Sequence, residues 1–141
     1  MRIVLDTNVL VSAFLTKQGV PNLIVSAWEG GVFRLVTSEE QLAELDRVLH
    51  YDKLSQRISP EEASNLLARM RISAHVAENL PDVDYSQDPD DNLLLATAIA
   101  GKADLLVTGD QKHLLPLGSV EGIPIVSPRD ALNRILPASE T

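Results

Sequence analysis

Three short apolar runs constrain this fold more than any other feature: "RIVL" at 2–5, "LLV" at 105–107 and "IPIV" at 123–126. Each has strand length, and none alternates with polar residues as a strand with one wet face would. Such strands need cover on both faces, and the segments between them carry helix signals that can supply it. The pattern predicts the α/β class, a central, mainly parallel sheet with helices on both faces. In sheets of this kind ligands bind beyond the carboxyl ends of the strands, near the point where strand order reverses. Two of the runs, extended as "RIVLD" and "LLVTGD", lead to Asp6 and Asp110 at that edge.

The helices are marked by their ends. "VLVSAFLT" and "PNLIVSAWEGG" read as a hairpin or bent helix, the second piece opened by Pro21 and stopped by Gly30 and Gly31, with a short strand "FRLV" after it. In "SEEQLAELDRVLHYDKL", Ser38 and Gln41 have capping-box spacing and Leu42, Leu45, Val48 and Leu49 share a face. "SPEEASNLLARM" has Ser59 as cap, Pro60 in the first turn and Glu62 completing the box. "AHVAENLPDVDY" reads as a short strand and loop. "DPDDNLLLATAIAGKA" starts at Asp88 and Pro89 and ends near Gly101, a helical turn is expected around "QKHLL", and "SPRDALNRIL" is a capped final helix.

No internal repeat or long linker divides the 141 residues, so one domain over 1–136 is expected, with "PASET" at 137–141 as a disordered tail. No apolar run approaches the roughly 20 residues that span a bilayer. The opening stretch lacks the basic region and cleavage site of a signal peptide, and there is no cysteine. The expectation is a soluble, cytoplasmic protein without a membrane partner. The net charge of −8 disfavours nonspecific binding to phosphate backbones, which relies on clustered Lys and Arg. Charge is unevenly placed, however: Arg47, Lys53, Arg57, Arg69 and Arg71 fall in one segment, and Asp82, Asp84, Asp88, Asp90 and Asp91 in another.

Each acid near the sheet edge has a plain reading. Asp6 and Asp110 can cap the turns that follow them, and Asp91, three residues after Asp88, stands where it would complete a capping box. Glu44 and Asp46 flank the apolar stripe of their helix at similar angles, so periodicity does not choose between them. As a set the acids say more. Two strand-end aspartates, an acid at the start of the intervening helix and a stripe-edge acid can converge on one cleft. Like charges so close need protons or a divalent cation, and with no cysteine and three histidines the oxygen-preferring Mg²⁺ or Mn²⁺ fits best. His50 and His113 read as surface residues, His75 precedes a short strand, and none shows a metal-ligand spacing.

"IVLDTNVLVSAF", "SEEQLAELDRVL", "DPDDNLLLATAIAGKADLLVTGD" and "IPIVSPRDAL" together resemble the PIN-domain nucleases, in particular the VapC-like toxin ribonucleases of toxin–antitoxin pairs. The resemblance implies a single PIN-like domain, RNA as substrate, an antitoxin protein as partner, and pairing through helices into a homodimer; Val11, Phe14 and Leu15, apolar at helical spacing, can either extend the core or form that dimer surface. It matches Asp6 to the acid closing the first strand, Glu44 to the acid of the second helical segment, Asp91 to the one opening the A-T-A helix, and Asp110 to the one in the T-x-D turn. These four would hold Mg²⁺ or Mn²⁺ and carry catalysis, with Asn8 and Thr108 in support. Asp90 is the alternative third acid. Lys112 and the Arg47 to Arg71 segment are candidates to hold flanking phosphates.

Rival classes fit less well. A receiver-like phosphotransfer domain calls for paired acids after the first strand and a Lys after the last, but Asp6 has no acidic neighbour and "IVSPRD" has no Lys. A phosphatase of the D-x-D kind would need an acid where Asn8 stands. An inactive interaction module keeping the fold would be expected to lack one of the carboxylates.

Overall fold

A computed structural model describes residues 1–136 of the chain; the tail at 137–141 lies outside the described residues. β1 (Arg2–Leu5), β2 (Arg34–Ser38), β3 (His75–Ala77), β4 (Leu105–Val107), β5 (Ser119–Val120) and β6 (Ile123–Val126) form one sheet in the order β3-β2-β1-β4-β6-β5. Every pairing is parallel except that of β5 with β6. Among the described residues there are seven helices: α1 (Thr7–Leu15), α2 (Val20–Glu29), α3 (Glu39–Leu49), α4 (Asp52–Ser55), α5 (Pro60–Ser73), α6 (Pro89–Ala100) and α7 (Pro128–Ile135), with a 3₁₀ turn at Leu115–Leu117. This is the expected α/β architecture.

The two faces of the sheet follow from the two-residue period of a strand. Ile3 and Leu5 of β1 enter one core with Leu42 and Leu45 of α3, Leu66 and Met70 of α5 and Ala131 of α7. Val4 points the other way, into a smaller core with Leu106 and with Leu94, Leu95 and Ala98 of α6. Val11, Phe14 and Leu15 belong to the larger core, Val11 buried and the other two half-covered. From β1 the chain steps to β2 and then β3 on one side, whereas β4 lies on the other side of β1 and leads to β6. The reversal therefore falls between β1 and β4, where a crevice opens at the carboxyl ends of the strands.

Three local expectations need correction. The segment containing α3 is not one helix: it stops at Leu49, with His50 as C-cap, and a separate turn, α4, follows. Ser38 does cap α3 by accepting from the Gln41 N–H (3.1 Å), but the Gln41 side chain does not reach back to complete a box. It is buried, donating to the Leu5 carbonyl (2.7 Å) and accepting from Thr37 Oγ1 (2.6 Å). Finally, β5 and β6 form a hairpin that the sequence reading lacks. Its two-residue loop, Glu121 and Gly122, has both φ values positive (49° and 82°), as a tight hairpin turn with the right twist requires. The full capping box at Ser59 and Glu62, the Asp88 cap and the Ser127 cap are all present.

Candidate active site

Asp6 follows β1 directly and is placed by the sheet, its N–H donating to the Val107 carbonyl of β4 (2.9 Å). Its side chain does two things. Oδ1 accepts from the Asn8 N–H (3.3 Å) and so caps α1, while Oδ2 accepts from Thr108 Oγ1 (2.7 Å). Thr108, fully buried after β4, also accepts through the same oxygen from the Asp110 N–H (3.0 Å). One hydroxyl thus joins the two strand-end aspartates at the reversal point, although 102 positions separate Asp6 from Thr108. Asp110 in turn caps the chain after it, Oδ1 accepting from the N–H groups of Lys112 (2.9 Å) and His113 (3.1 Å).

Glu44 arrives from α3. The Gln41 anchor on the Leu5 carbonyl fixes α3 against the end of β1, and three residues later Glu44 meets Thr7, whose Oγ1 donates to Glu44 Oε1 (2.5 Å). Ser38 and Thr97 share a buried hydroxyl contact (2.8 Å) that ties the start of α3 to α6. Asp91 sits in the first turn of α6, 9% exposed, with Ser86 Oγ donating to its Oδ2 (2.9 Å). Ser86 is held there by Asn92, whose side chain accepts from the Tyr85 and Ser86 N–H groups (3.0 and 2.9 Å) and donates to the Ser86 carbonyl (2.8 Å). Asp91 therefore does not complete a capping box with Asp88; Asp88 caps through the Asp90 N–H (2.9 Å) instead.

A cleft of about 240 Å³ brings these groups together, lined by Asp6, Glu44, Asp91 and Asp110 with Thr7, Asn8 and Asp90. Asp90 is exposed, on the rim, whereas Asp91 is buried. Asp46 is turned to solvent, where its carboxylate lies 3.3 Å from His50 Nδ1. Burial pushes the Asp6, Glu44 and Asp91 carboxyls above their ordinary values. Thr108, Thr7 and Ser86 each oppose this by hydrogen bonding, while neighbouring acids add to it: Asp110 on Asp6, Asp90 on Glu44, Asp88 on Asp91. Asp110 goes the other way. Burial raises it too, but the N–H groups of His113 and Lys112 and the charge of His113 together hold it below the ordinary value.

A carboxylate-rich cleft with partly desolvated, mutually repelling acids suits a hard divalent cation. The hydroxyl donors each occupy a single lone pair, so the acids keep acceptor capacity toward the cleft. A family model described as PIN domain matches residues 2–112. The chain belongs to the PIN domain family. PIN domains are generally metal-dependent nucleases acting on nucleic acid, and the acidic cleft of this PIN domain is placed where a metal would serve that chemistry. Among curated proteins nothing matches this chain.

Sequence alone assigns no role to Thr7, Ser86, Asn92 or His113. Thr7 stands inside the quoted D-T-N stretch, but its partner Glu44 is 37 positions away. His113 was read as a surface residue; it is half exposed, yet its Nδ1 lies 3.6 Å from Asp110 Oδ2 and groups with Asp91 and Asp110. In the basic segment three of the five cations have partners. Arg69 pairs with Glu29, Arg71 with Glu39 (2.6 Å), and Arg57 donates to the Leu15 carbonyl.

Proposed function

We propose that this chain is an endoribonuclease that hydrolyses RNA phosphodiester bonds with Mg²⁺ or Mn²⁺ held by Asp6, Glu44, Asp91 and Asp110, and that it is the toxin of a cytoplasmic toxin–antitoxin pair. The observation carrying this reading is the Thr108 bridge between the two strand-end acids in a cleft that also receives Glu44 and the buried Asp91. A cation bound there supplies Lewis acidity toward the phosphate and lowers the pKa of a bound water.

The chain's own residues supply placement. Thr108 sets the spacing of Asp6 and Asp110, Thr7 and the Gln41 anchor aim Glu44 into the cleft, and Ser86 orients Asp91. No side chain has to act as a nucleophile. Asn8, exposed in the cleft lining, and Lys112, exposed two residues after Asp110, are the proposed contacts to flanking RNA, and a cation in the cleft reverses the local sign of an otherwise acidic protein. An antitoxin presenting Arg or Lys to the same carboxylates would block the site by charge pairing, since a guanidinium fork matches a carboxylate. The end of α1 carrying Phe14 and Leu15 is the proposed homodimer surface.

The deciding experiment is cleavage of a panel of RNAs by the purified protein in Mg²⁺ or Mn²⁺, with and without chelator. Metal-dependent cleavage that chelator abolishes and metal restores supports the reading; RNA left intact in both metals overturns it.

A further inference from the structure

The family's acids leave His113 out, but the geometry does not. One ligand atom from each of Asp91, Asp110 and His113 can be chosen so that all lie within 4.8 Å of one another. Around a cation with bonds of about 2.1 Å, neighbouring and opposite ligands stand about 3 and 4.2 Å apart, so a small side-chain adjustment closes the set. His113 Nδ1 and Asp110 Oδ2 are separated by 3.6 Å, longer than a hydrogen bond and close to the spacing of two atoms sharing an ion. The turn carrying His113 is fixed by its main chain: the His113 N–H is tied to Asp110 Oδ1, and the Leu115 N–H donates to the Asp110 carbonyl (3.0 Å). That leaves Oδ2, the oxygen free of those backbone donors, facing the ring.

We propose that His113 is a ligand of the resident cation, making with Asp91 and Asp110 a mixed nitrogen and oxygen site that favours Mn²⁺ over Mg²⁺. This rests on the metal-nuclease reading above. Mg²⁺ takes oxygen ligands and sheds water reluctantly, whereas imidazole suits transition metals, so one nitrogen donor among carboxylates shifts the selectivity. A plain ion pair between a protonated His113 and Asp110 would instead be weakened when a cation arrives, since both would compete for the same carboxylate.

The test reads coordination directly. The full-length protein loaded with Mn²⁺ is examined by electron spin echo envelope modulation, and Mn²⁺ and Mg²⁺ are each titrated calorimetrically into wild type and His113→Gln. The wild type should show nitrogen modulation from a bound imidazole, lost in His113→Gln. Mn²⁺ affinity should fall about tenfold or more in the variant, with Mg²⁺ affinity changing much less. Bound Mn²⁺ without nitrogen modulation in the wild type, or modulation that survives in His113→Gln, overturns the assignment while leaving the nuclease reading to its own RNA assay. Failure of both ions to bind wild type overturns the assignment and the nuclease reading together.

Discussion

Thr108 holds two carboxylates with one oxygen, donating to Asp6 and accepting from the Asp110 N–H. Thr108→Val removes the buried hydroxyl that donates to Asp6 and accepts from Asp110's partly buried amide, a loss of about 1–3 kcal/mol in stability. Chemical denaturation should show this, with Thr108→Ser close to wild type and cleavage tracking the hydroxyl. The four acids are expected to act as a unit: Asp6→Asn, Glu44→Gln, Asp91→Asn and Asp110→Asn should each lower the cleavage rate by orders of magnitude, and Asp46→Asn should leave it near wild type. A silent Glu44→Gln would remove α3 from the site. Charge at Asp6 also has a thermodynamic signature. Folding raises the proton affinity of Asp6, Glu44 and Asp91 above the ordinary 3.8 and 4.5, so their contribution to stability is greatest below those values and is lost as pH rises through the folded ones. Asp110, held low, contributes above 3.8 and loses that as pH falls through its folded value. Within the cleft this is three groups against one, while Glu62 and His75 elsewhere are also held low and act in the opposite sense, so the cleft's share is read by difference: the gap in metal-free melting temperature between wild type and Asp6→Asn should shrink as pH is lowered from neutrality toward the raised values. At pH 7 to 8 Asp6→Asn should have the higher metal-free melting temperature, because the amide oxygen keeps the cap while the charge is gone.

At the scale of elements, α6 carries Asp91 at one end and, at the other, Gly101 packed tightly against β2. A Cβ on Gly101, the C-cap of α6, would stand 2.3 Å from Val36 Cγ1 of β2 and 3.2 Å from the Thr97 carbonyl. Val36 is fully buried and branched, so it cannot swing aside. Gly101→Ala should therefore destabilise by about 1–3 kcal/mol, read as a lower melting temperature. The contribution of sequence to this picture differs from element to element. β1, β4 and β6 were legible because strands covered on both faces leave continuous apolar runs, and α5 and α6 because Ser59, Glu62, Asp88 and Pro89 announce them locally. β5 has two residues and no periodicity to show. Gln41 obeyed the spacing of a capping box, but a buried carbonyl of β1 claimed its side chain. Glu44 and Asp46 are equivalent on a helical wheel; the family resemblance picks Glu44, and the packing of α3 against β1 is what turns it into the cleft. Thr7, Ser86 and His113 act on acids that other segments deliver, or through a turn whose shape no spacing rule reports.

For the molecule as a whole, a cation that binds only the folded state stabilises it by RT ln(1 + [L]/Kd), about 2.7 kcal/mol at a hundredfold excess over Kd. Mg²⁺ or Mn²⁺ should raise the melting temperature at pH 7 to 8, the gain should fade on acidification as protons compete, and Asp6→Asn should lose most of it. A melting temperature indifferent to both ions would return Asp6 to the role of helix cap alone. If the protein is a toxin, expressing it should slow growth of a host cell and Asp6→Asn at matched levels should not; equal growth would count against toxicity. The placing of β4 beside β1 has one more consequence. A growing chain on the ribosome carries Asp6, Glu44 and Asp91 well before it carries Asp110, and β1 has no neighbour on that side until residues 105–107 have been made. The cleft therefore closes only after β4 has been made, later than the pairing of β1 with β2 and of β2 with β3, and the four acids can meet only once synthesis has passed residue 110.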